Sequence, residues 1–183
     1  MSRRQAVAVF GSSQTESGSS DWDEAQRAGA RLAAAGLDVV TGGYGGTMEA
    51  VSQGAAHAGG HVIGVTAPSL FSDRSGANPY VTEVIEGASL ALRIGTMMQR
   101  SAASLALPGS IGTAAELIIA WNTNHILRQD GGSPIPAAAV GAAWKGVGRA
   151  LVEEVGAFEG DIYWADSVDD GIDWITSALL PTP

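Results

Sequence analysis

Leu105-Ala106-Leu107-Pro108-Gly109-Ser110-Ile111-Gly112-Thr113-Ala114-Ala115-Glu116 is the stretch that decides how the chain reads. An apolar run stops at a proline, and two glycines punctuate a short loop. Thr113 and Glu116 then open the apolar segment Leu117 to Trp121. The pattern is strand, tight loop, helix N-terminus, a geometry that turns backbone N–H groups toward an anion. A second Gly-rich turn, Thr41-Gly42-Gly43-Tyr44-Gly45-Gly46-Thr47-Met48, lies upstream. Two such loops point to a phosphate site, and Glu116 beside one of them points to chemistry.

Outward from these loops, apolar runs and turn residues predict strands at 5–10, 37–41, 61–66, 80–85, 103–107, 135–141 and 161–164. Helices are predicted over 21–35, 47–58, 88–101, 113–127, 144–155 and 168–180. This alternation implies an α/β, Rossmann-like three-layer αβα sandwich with a mostly parallel sheet. No repeat or composition break divides the 183 residues, so a single nucleotide-binding domain over 1–183 is expected. Loops 11–20, 42–46, 67–79 and 108–112 all fall at the carboxyl ends of the strands, where such sheets bind ligands.

Composition narrows the partners. A formal net charge of −9 argues against nucleic acid and anionic membranes, which require a basic face. With 45% hydrophobic and only 16% charged residues, the chain is not of a disordered type. The low charge also fits a surface covered in part by a second copy. There are no cysteines, which excludes disulfides, thiolate metal sites and cysteine nucleophiles. Without a signal h-region or a membrane-length apolar run, a soluble cytoplasmic protein is expected.

Several motifs are absent. Gly43-Tyr44-Gly45-Gly46-Thr47-Met48 breaks the dinucleotide fingerprint at Met48, and no acidic residue closes the second strand. No glycine precedes Lys-Ser or Lys-Thr, and Gly11-Ser12-Ser13-Gln14-Thr15 lacks the last glycine of a nucleophile elbow. His57, His61 and His125 show no ligand spacing, so no metal and no cofactor is indicated. Thr113 to Glu116 also fits a capping box, which leaves capping and catalysis both open for Glu116. Glu49 reads first as a helix-dipole or capping residue. Arg93 and Arg100, seven apart on one helix face, read as a solvated face before an anion site.

Taken together, these residues resemble the Lonely-guy family, long labelled lysine decarboxylase-like, whose members are cytokinin riboside 5′-monophosphate phosphoribohydrolases. The family's Pro-Gly-Gly-x-Gly-Thr-x-x-Glu is matched by Pro108 to Glu116, with Ser110 for the second glycine. Its Gly-Gly-Gly-x-x-Gly-Leu-Met-Gly turn is matched at Gly42, Gly43, Gly46 and Met48, while Thr41, Thr47 and Glu49 depart. The opening Val9-Phe10-Gly11-Ser12-Ser13 is similar too. Arg93, Met97 and Ser101 stand where the family has the arginine of an Arg-Lys pair, a methionine and a serine, with Ile94 replacing the lysine.

The resemblance implies cleavage of the N-glycosidic bond of a nucleoside 5′-monophosphate, to free base and ribose 5-phosphate, by a homodimer. It assigns Glu116 to the oxocarbenium-like carbon and the attacking water, and Arg93 to the ribose, phosphate or leaving base. The phosphate would lie on Gly109, Ser110, Ile111, Gly112 and Thr113, and on Gly43, Gly45, Gly46 and Thr47, with the Ser12 hydroxyl. Ser110 keeps its N–H, but its Cβ narrows the approach compared with glycine. The base pocket is expected from loop 67–79 with Met97, Trp121 or Asn122, where core or dimer packing is the safer reading for Met97 and Trp121. A non-catalytic nucleotide-binding or carrier protein is the rival reading. Lysine decarboxylation finds no support: the only lysine, Lys145, lies far along the chain near a helix start.

Overall fold

The computed structural model describes residues 4–72 and 76–180. Seven parallel strands form one sheet: β1 (Ala6–Phe10), β2 (Asp38–Thr41), β3 (Val62–Thr66), β4 (Glu83–Glu86), β5 (Ala103–Ala106), β6 (Ala137–Val140) and β7 (Tyr163–Ala165). Between and after them run α1 (Ser20–Ala34), α2 (Thr47–His57), α3 (Leu90–Gln99), α4 (Ile111–Gln129), α5 (Ala142–Val155) and α6 (Val168–Leu179). The strand order is β4-β3-β2-β1-β5-β6-β7. The chain therefore builds outward from β1 to one edge, returns, and builds outward from β5 to the other. Connections leaving β1 and β5 diverge, which opens a crevice above their carboxyl ends.

Burial explains the layers. Along β1, Val7 and Val9 join one core with Leu32 of α1, Val51 of α2 and Ile172 of α6. The alternate residues Ala8 and Phe10 join the other core with Met97 of α3, Leu117 and Trp121 of α4, and Trp144 of α5. Central strands are buried on both faces, as a helix-covered parallel sheet requires. Local signals begin the helices: the hydroxyls of Ser19, Ser89 and Ser167 accept from the N–H groups of Trp22, Leu92 and Asp170.

Several elements are bounded differently from expectation, α3 beginning at Leu90, β6 at Ala137 and α5 at Ala142. β4 begins at Glu83 because Asn78 makes a turn first, its Oδ1 accepting from Tyr80 N–H and its carbonyl from Val81 N–H. β7 starts later because Glu159–Asp161 is a 3-10 turn, with the Asp161 carboxylate held by Arg128 at 3.2 Å. α4 starts at Ile111, two residues before Thr113. Among the described residues no helix is long and apolar enough to cross a membrane.

α1 and α2 pack backbone to backbone through glycines. A Cβ on Gly54 would run into the Gln26 carbonyl oxygen, and one on Gly29 into that of Val51. Alanine favours an isolated helix by about 1 kcal/mol over glycine, but overpacking costs about 1–3 kcal/mol and wins here because the obstacle is backbone. Gly54→Ala is expected to lower the urea midpoint at unchanged slope; an unchanged midpoint would refute this contact.

Candidate active site above β1 and β5

The loop after β5 is shaped for an uncapped helix start. Leu107 N–H donates to the Phe10 carbonyl, which ties the exit of β5 to β1. A Cβ on Gly109 would occupy the place of the Thr113 hydroxyl, so glycine is required there. Ser110 is the N-cap residue of α4, yet its side chain makes no capping bond, and the first turn holds no acidic residue. The N–H groups of Ile111, Gly112 and Thr113 are thus left without partners in the helix. Thr113 is 1% exposed, and its Oγ1 is buried without a hydrogen-bond partner among the described residues. Ser110, Ile111 and Gly112 are exposed. With φ −109° the Ser110 backbone is ordinary for an L-residue, so the exchange of glycine for serine is unstrained.

The capping box is not formed. Thr113 is the third residue of α4 rather than its cap, and Glu116 sits a turn inside. The Glu116 carboxylate instead meets Arg93, whose Nη1 donates to Oε1 at 3.4 Å. Arg93 is 6% exposed, so the solvated-face reading is also wrong for it. Its Nε donates to the Val65 carbonyl at 2.8 Å and its Nη2 to the Gly42 carbonyl at 3.2 Å, with Met48 Sδ 3.8 Å away. The Tyr44 and Phe71 rings each lie 5.9 Å from its Cζ. Arg100 belongs elsewhere: it pairs with Glu83 at 2.6 Å, so the two arginines do not make one site.

Burial pushes the Glu116 carboxyl up to about 7, the charge and hydrogen bond of Arg93 pulling it down only in part. Arg93 engages Oε1; among the described residues Oε2 makes no hydrogen bond and is not sealed from solvent. A carboxylate poised near neutrality with one free oxygen can accept a proton from water.

The second Gly-rich turn is less available than its sequence implies. Gly43 N–H donates to Thr41 Oγ1 at 3.1 Å, and Thr47 N–H donates to the Ser12 carbonyl at 2.8 Å. The Thr47 and Thr15 hydroxyls pair at 2.8 Å, and Ser12 Oγ accepts from Gln14 N–H at 3.0 Å. Gly43 and Thr47 therefore spend the N–H groups assigned to phosphate on bracing the turn, whereas the Ser12 hydroxyl accepts there and keeps its own proton to donate. Gly45 and Gly46 keep N–H groups without hydrogen bonds among the described residues. The departures at Thr41 and Thr47 supply two of these braces.

Three contributors escape a motif search. Asn78 donates from its backbone to the Gly43 carbonyl at 2.7 Å and from Nδ2 to the Tyr44 carbonyl at 3.0 Å. Tyr44 Oη accepts from Ala67 N–H, and Phe71 packs edge-on against Tyr44 at 5.4 Å. Loop 67–79 thus reaches the crevice through Phe71 and Asn78; residues 73–75 of it lie outside the described residues. Met97 and Trp121 do not line the crevice: both are buried in the core, Trp121 Nε1 donating to the Phe158 carbonyl. Asn122 faces a groove of about 180 Å³ between α4 and α5, lined also by Ile118, His125 and Val155, which includes neither Arg93 nor Glu116. Ile94 is 3% exposed in the core, so no second cation stands there. No group of three or more acidic or histidine side chains is placed for a metal among the described residues.

Residues 4–129 match the model of the SLOG cluster4 family. The chain belongs to that family. Over 123 residues it is 38% identical to the probable cytokinin riboside 5′-monophosphate phosphoribohydrolase LOGL9 of Oryza sativa subsp. japonica, covering 66% of this chain and 54% of that protein. It is 36% identical over 123 residues to the cytokinin riboside 5′-monophosphate phosphoribohydrolase LOG5 of Arabidopsis thaliana, covering 66% and 54%. The Lonely-guy resemblance is thereby borne out, and the chain spans about half the length of these curated relatives. The molybdenum cofactor binding protein of Rippkaea orientalis shares the fold at TM-score 0.75 and 23% identity, over 97% of this chain and 98% of that one. The molybdenum cofactor carrier protein of Chlamydomonas reinhardtii does so at 0.73 and 22%, over 97% and 99%.

For this SLOG-family chain, Glu116 makes stability depend on pH. Its folded carboxyl stays protonated to about 7, against a reference value of 4.5. Its contribution is therefore fully present below 4.5 and is lost as pH rises through about 7. Glu116→Gln does not titrate, so its stability relative to wild type should rise between pH 4.5 and 8 by up to about 3 kcal/mol. Urea titrations of both proteins across that range check it; a constant difference would contradict the buried carboxyl.

Proposed function

We propose that the chain hydrolyses the N-glycosidic bond of a nucleoside 5′-monophosphate, such as a cytokinin riboside monophosphate or adenosine monophosphate, giving free base and ribose 5-phosphate. The observation that carries this reading is the buried Arg93–Glu116 pair, with Glu116 Oε2 not hydrogen-bonded among the described residues, in the crevice that also holds the uncapped start of α4. The phosphate would take the N–H groups of Ile111, Gly112 and Thr113 and the Thr113 hydroxyl, which puts the ribose between α4 and the Gly42–Gly46 turn.

In the reaction the C1′–N bond breaks and its electron pair leaves with the base. Water oxygen bonds to C1′, and the proton it gives up passes through Glu116 to solvent or to the base nitrogen. A carboxylate beside C1′ also stabilises the oxocarbenium-like sugar, as in glycosidases. Arg93 keeps the carboxyl partly ionised near neutral pH and fixes Oε1, leaving Oε2 for the water. The base would lie toward Phe71 and Tyr44 rather than Met97, Trp121 or Asn122. As base, Glu116 must be ionised, so kcat/KM should rise with pH through about 7 and level off above it. Glu116→Gln is expected to lower kcat about 100-fold or more. Release of ribose 5-phosphate from a panel of monophosphates reads both effects; no release from any, or equal release by the variant, sinks the assignment.

A carrier without turnover is the second reading, favoured by Ile94 in place of the second cation and by the fold shared with cofactor carriers. Monophosphate binding without hydrolysis would select it. We further propose a cytoplasmic homodimer formed through the outer faces of α3 and α4, where Leu92, Ile118 and Ile126 are 58%, 43% and 49% exposed. Ile118→Glu with Ile126→Glu should halve the mass found by sedimentation equilibrium; an unchanged mass would refute this face.

A further inference from the structure

Among the described residues four helices have a serine N-cap, and three of those hydroxyls are spent on it. Ser19, Ser89 and Ser167 each accept from an N–H group of the turn they open. α1 adds Asp21 and Asp23 in its first turn, and α6 adds Asp169 and Asp170. α4 has neither device: the Ser110 side chain makes no capping bond, and no acid follows it in the first turn. A second polar group of that turn is also unmet. Thr113 is 1% exposed, and its Oγ1, set against Gly109, has no partner among the described residues. Ser110 itself lies in the exposed run 108–112. Ile111 beside it is 86% exposed, the highest value for a large apolar side chain among the described residues.

We propose that the Ser110 hydroxyl is a phosphorylation site, and that the phosphoryl group it carries fills the anion site of the crevice and shuts it. The proposal rests on the reading that the substrate phosphate binds at the start of α4. An N-cap side chain reaches the N–H groups two and three residues on, here those of Gly112 and Thr113, the donors assigned to the substrate. The Ser110 backbone already has the extended cap conformation, φ −109° and ψ −167°, so the group folds onto them without backbone movement. A phosphoserine carries a charge of about −2 at pH 8 and three acceptor oxygens, which a helix N-terminus stabilises. Being tethered, it competes with a free monophosphate at a high effective concentration. In the transfer, Ser110 Oγ attacks the γ-phosphorus of a nucleoside triphosphate held by a protein kinase. The P–O bond to the leaving group breaks, the nucleoside diphosphate departs with its electron pair, and the hydroxyl proton passes through the kinase's base to solvent. Ile111 gives that kinase an apolar side chain to grip next to the acceptor. The resembled motif has glycine at this position, so the control comes with the exchange to Ser110.

Three forms of the full chain test this: unmodified, with phosphoserine encoded at position 110, and with phosphoserine at the exposed Ser133 as a charge control. Each is titrated with inorganic phosphate at pH 8 by calorimetry. The unmodified and position-133 forms should bind alike, and the position-110 form at least about tenfold more weakly. Without ligand, the position-110 form should show the downfield Gly112 and Thr113 amide signals that saturating phosphate gives the unmodified chain. A phosphatase should reverse both changes. The urea midpoint of the position-110 form should rise, and the rise should shrink with salt; a lowered midpoint would mean a damaged loop and overturn the inference. Ser110→Asp, a smaller anionic cap, should weaken phosphate in the same direction. Mass spectrometry of the protein from its own source, isolated with phosphatase inhibitors, should find phosphate on Ser110. Equal phosphate binding by all three forms, no binding by the unmodified chain, or a source protein without phosphate on Ser110 overturns the inference. Ribose 5-phosphate release by the unmodified chain together with equal binding would remove this inference alone. Binding lost on phosphorylation, with no turnover by the unmodified chain, would remove the hydrolase reading alone.

Discussion

The buried guanidinium of Arg93 is the constraint on which the site depends. Placing a charge at 6% exposure is costly unless its donors are met, and here they are met by three separate parts of the chain. Nε holds the Val65 carbonyl in β3, Nη2 holds Gly42 at the turn after β2, and Nη1 reaches Glu116 on α4. A Cβ on Gly42 would stand where Nη2 is, so the glycine of that turn serves the arginine rather than a ligand. One side chain thus ties β3, the turn after β2 and α4 together at the carboxyl edge of the sheet and fixes the Glu116 carboxylate in the crevice.

Glu116 gains its chemical character from the same arrangement. Desolvation alone would keep it protonated, and full pairing with Arg93 would leave it a weak base. A single contact at 3.4 Å against strong burial balances the two and holds the group near 7. The two Gly-rich turns, alike as sequence, then divide their labour. The one before α4 keeps its donors and a bare hydroxyl for a ligand, while the one before α2 spends much of its hydrogen bonding on Thr41, Ser12, Thr15 and Asn78.

Much of the architecture is legible in the chain. Apolar runs such as Ala6–Phe10 and Ala103–Ala106, each followed by turn residues and an amphipathic helix, leave little besides a helix-covered parallel sheet. Pro108 to Glu116 marks the crevice because a glycine must admit Thr113 there. Less was legible where side chains had two plausible uses. Thr113 and Glu116 have the spacing of a capping box, and local spacing cannot tell a cap at Ser110 from one at Thr113. Met97 and Trp121 could have lined a pocket, but their size and apolarity drew them into the core.

The family resemblance named Arg93 and Glu116, and the sequence by itself determined the sheet, the order of its elements and the edge that carries the site. Those follow from short-range patterns: hydrophobic period, turn residues and helix-start chemistry. Only the tertiary structure decided that Arg93 is buried, that Glu116 is raised toward neutrality, and that Asn78 and Phe71 belong beside them. It also decided that the donors of Gly43 and Thr47 are already taken. Burial and hydrogen-bond satisfaction depend on which distant segments meet, and Val65, Gly42 and Glu116 are far apart along the chain yet converge on one guanidinium.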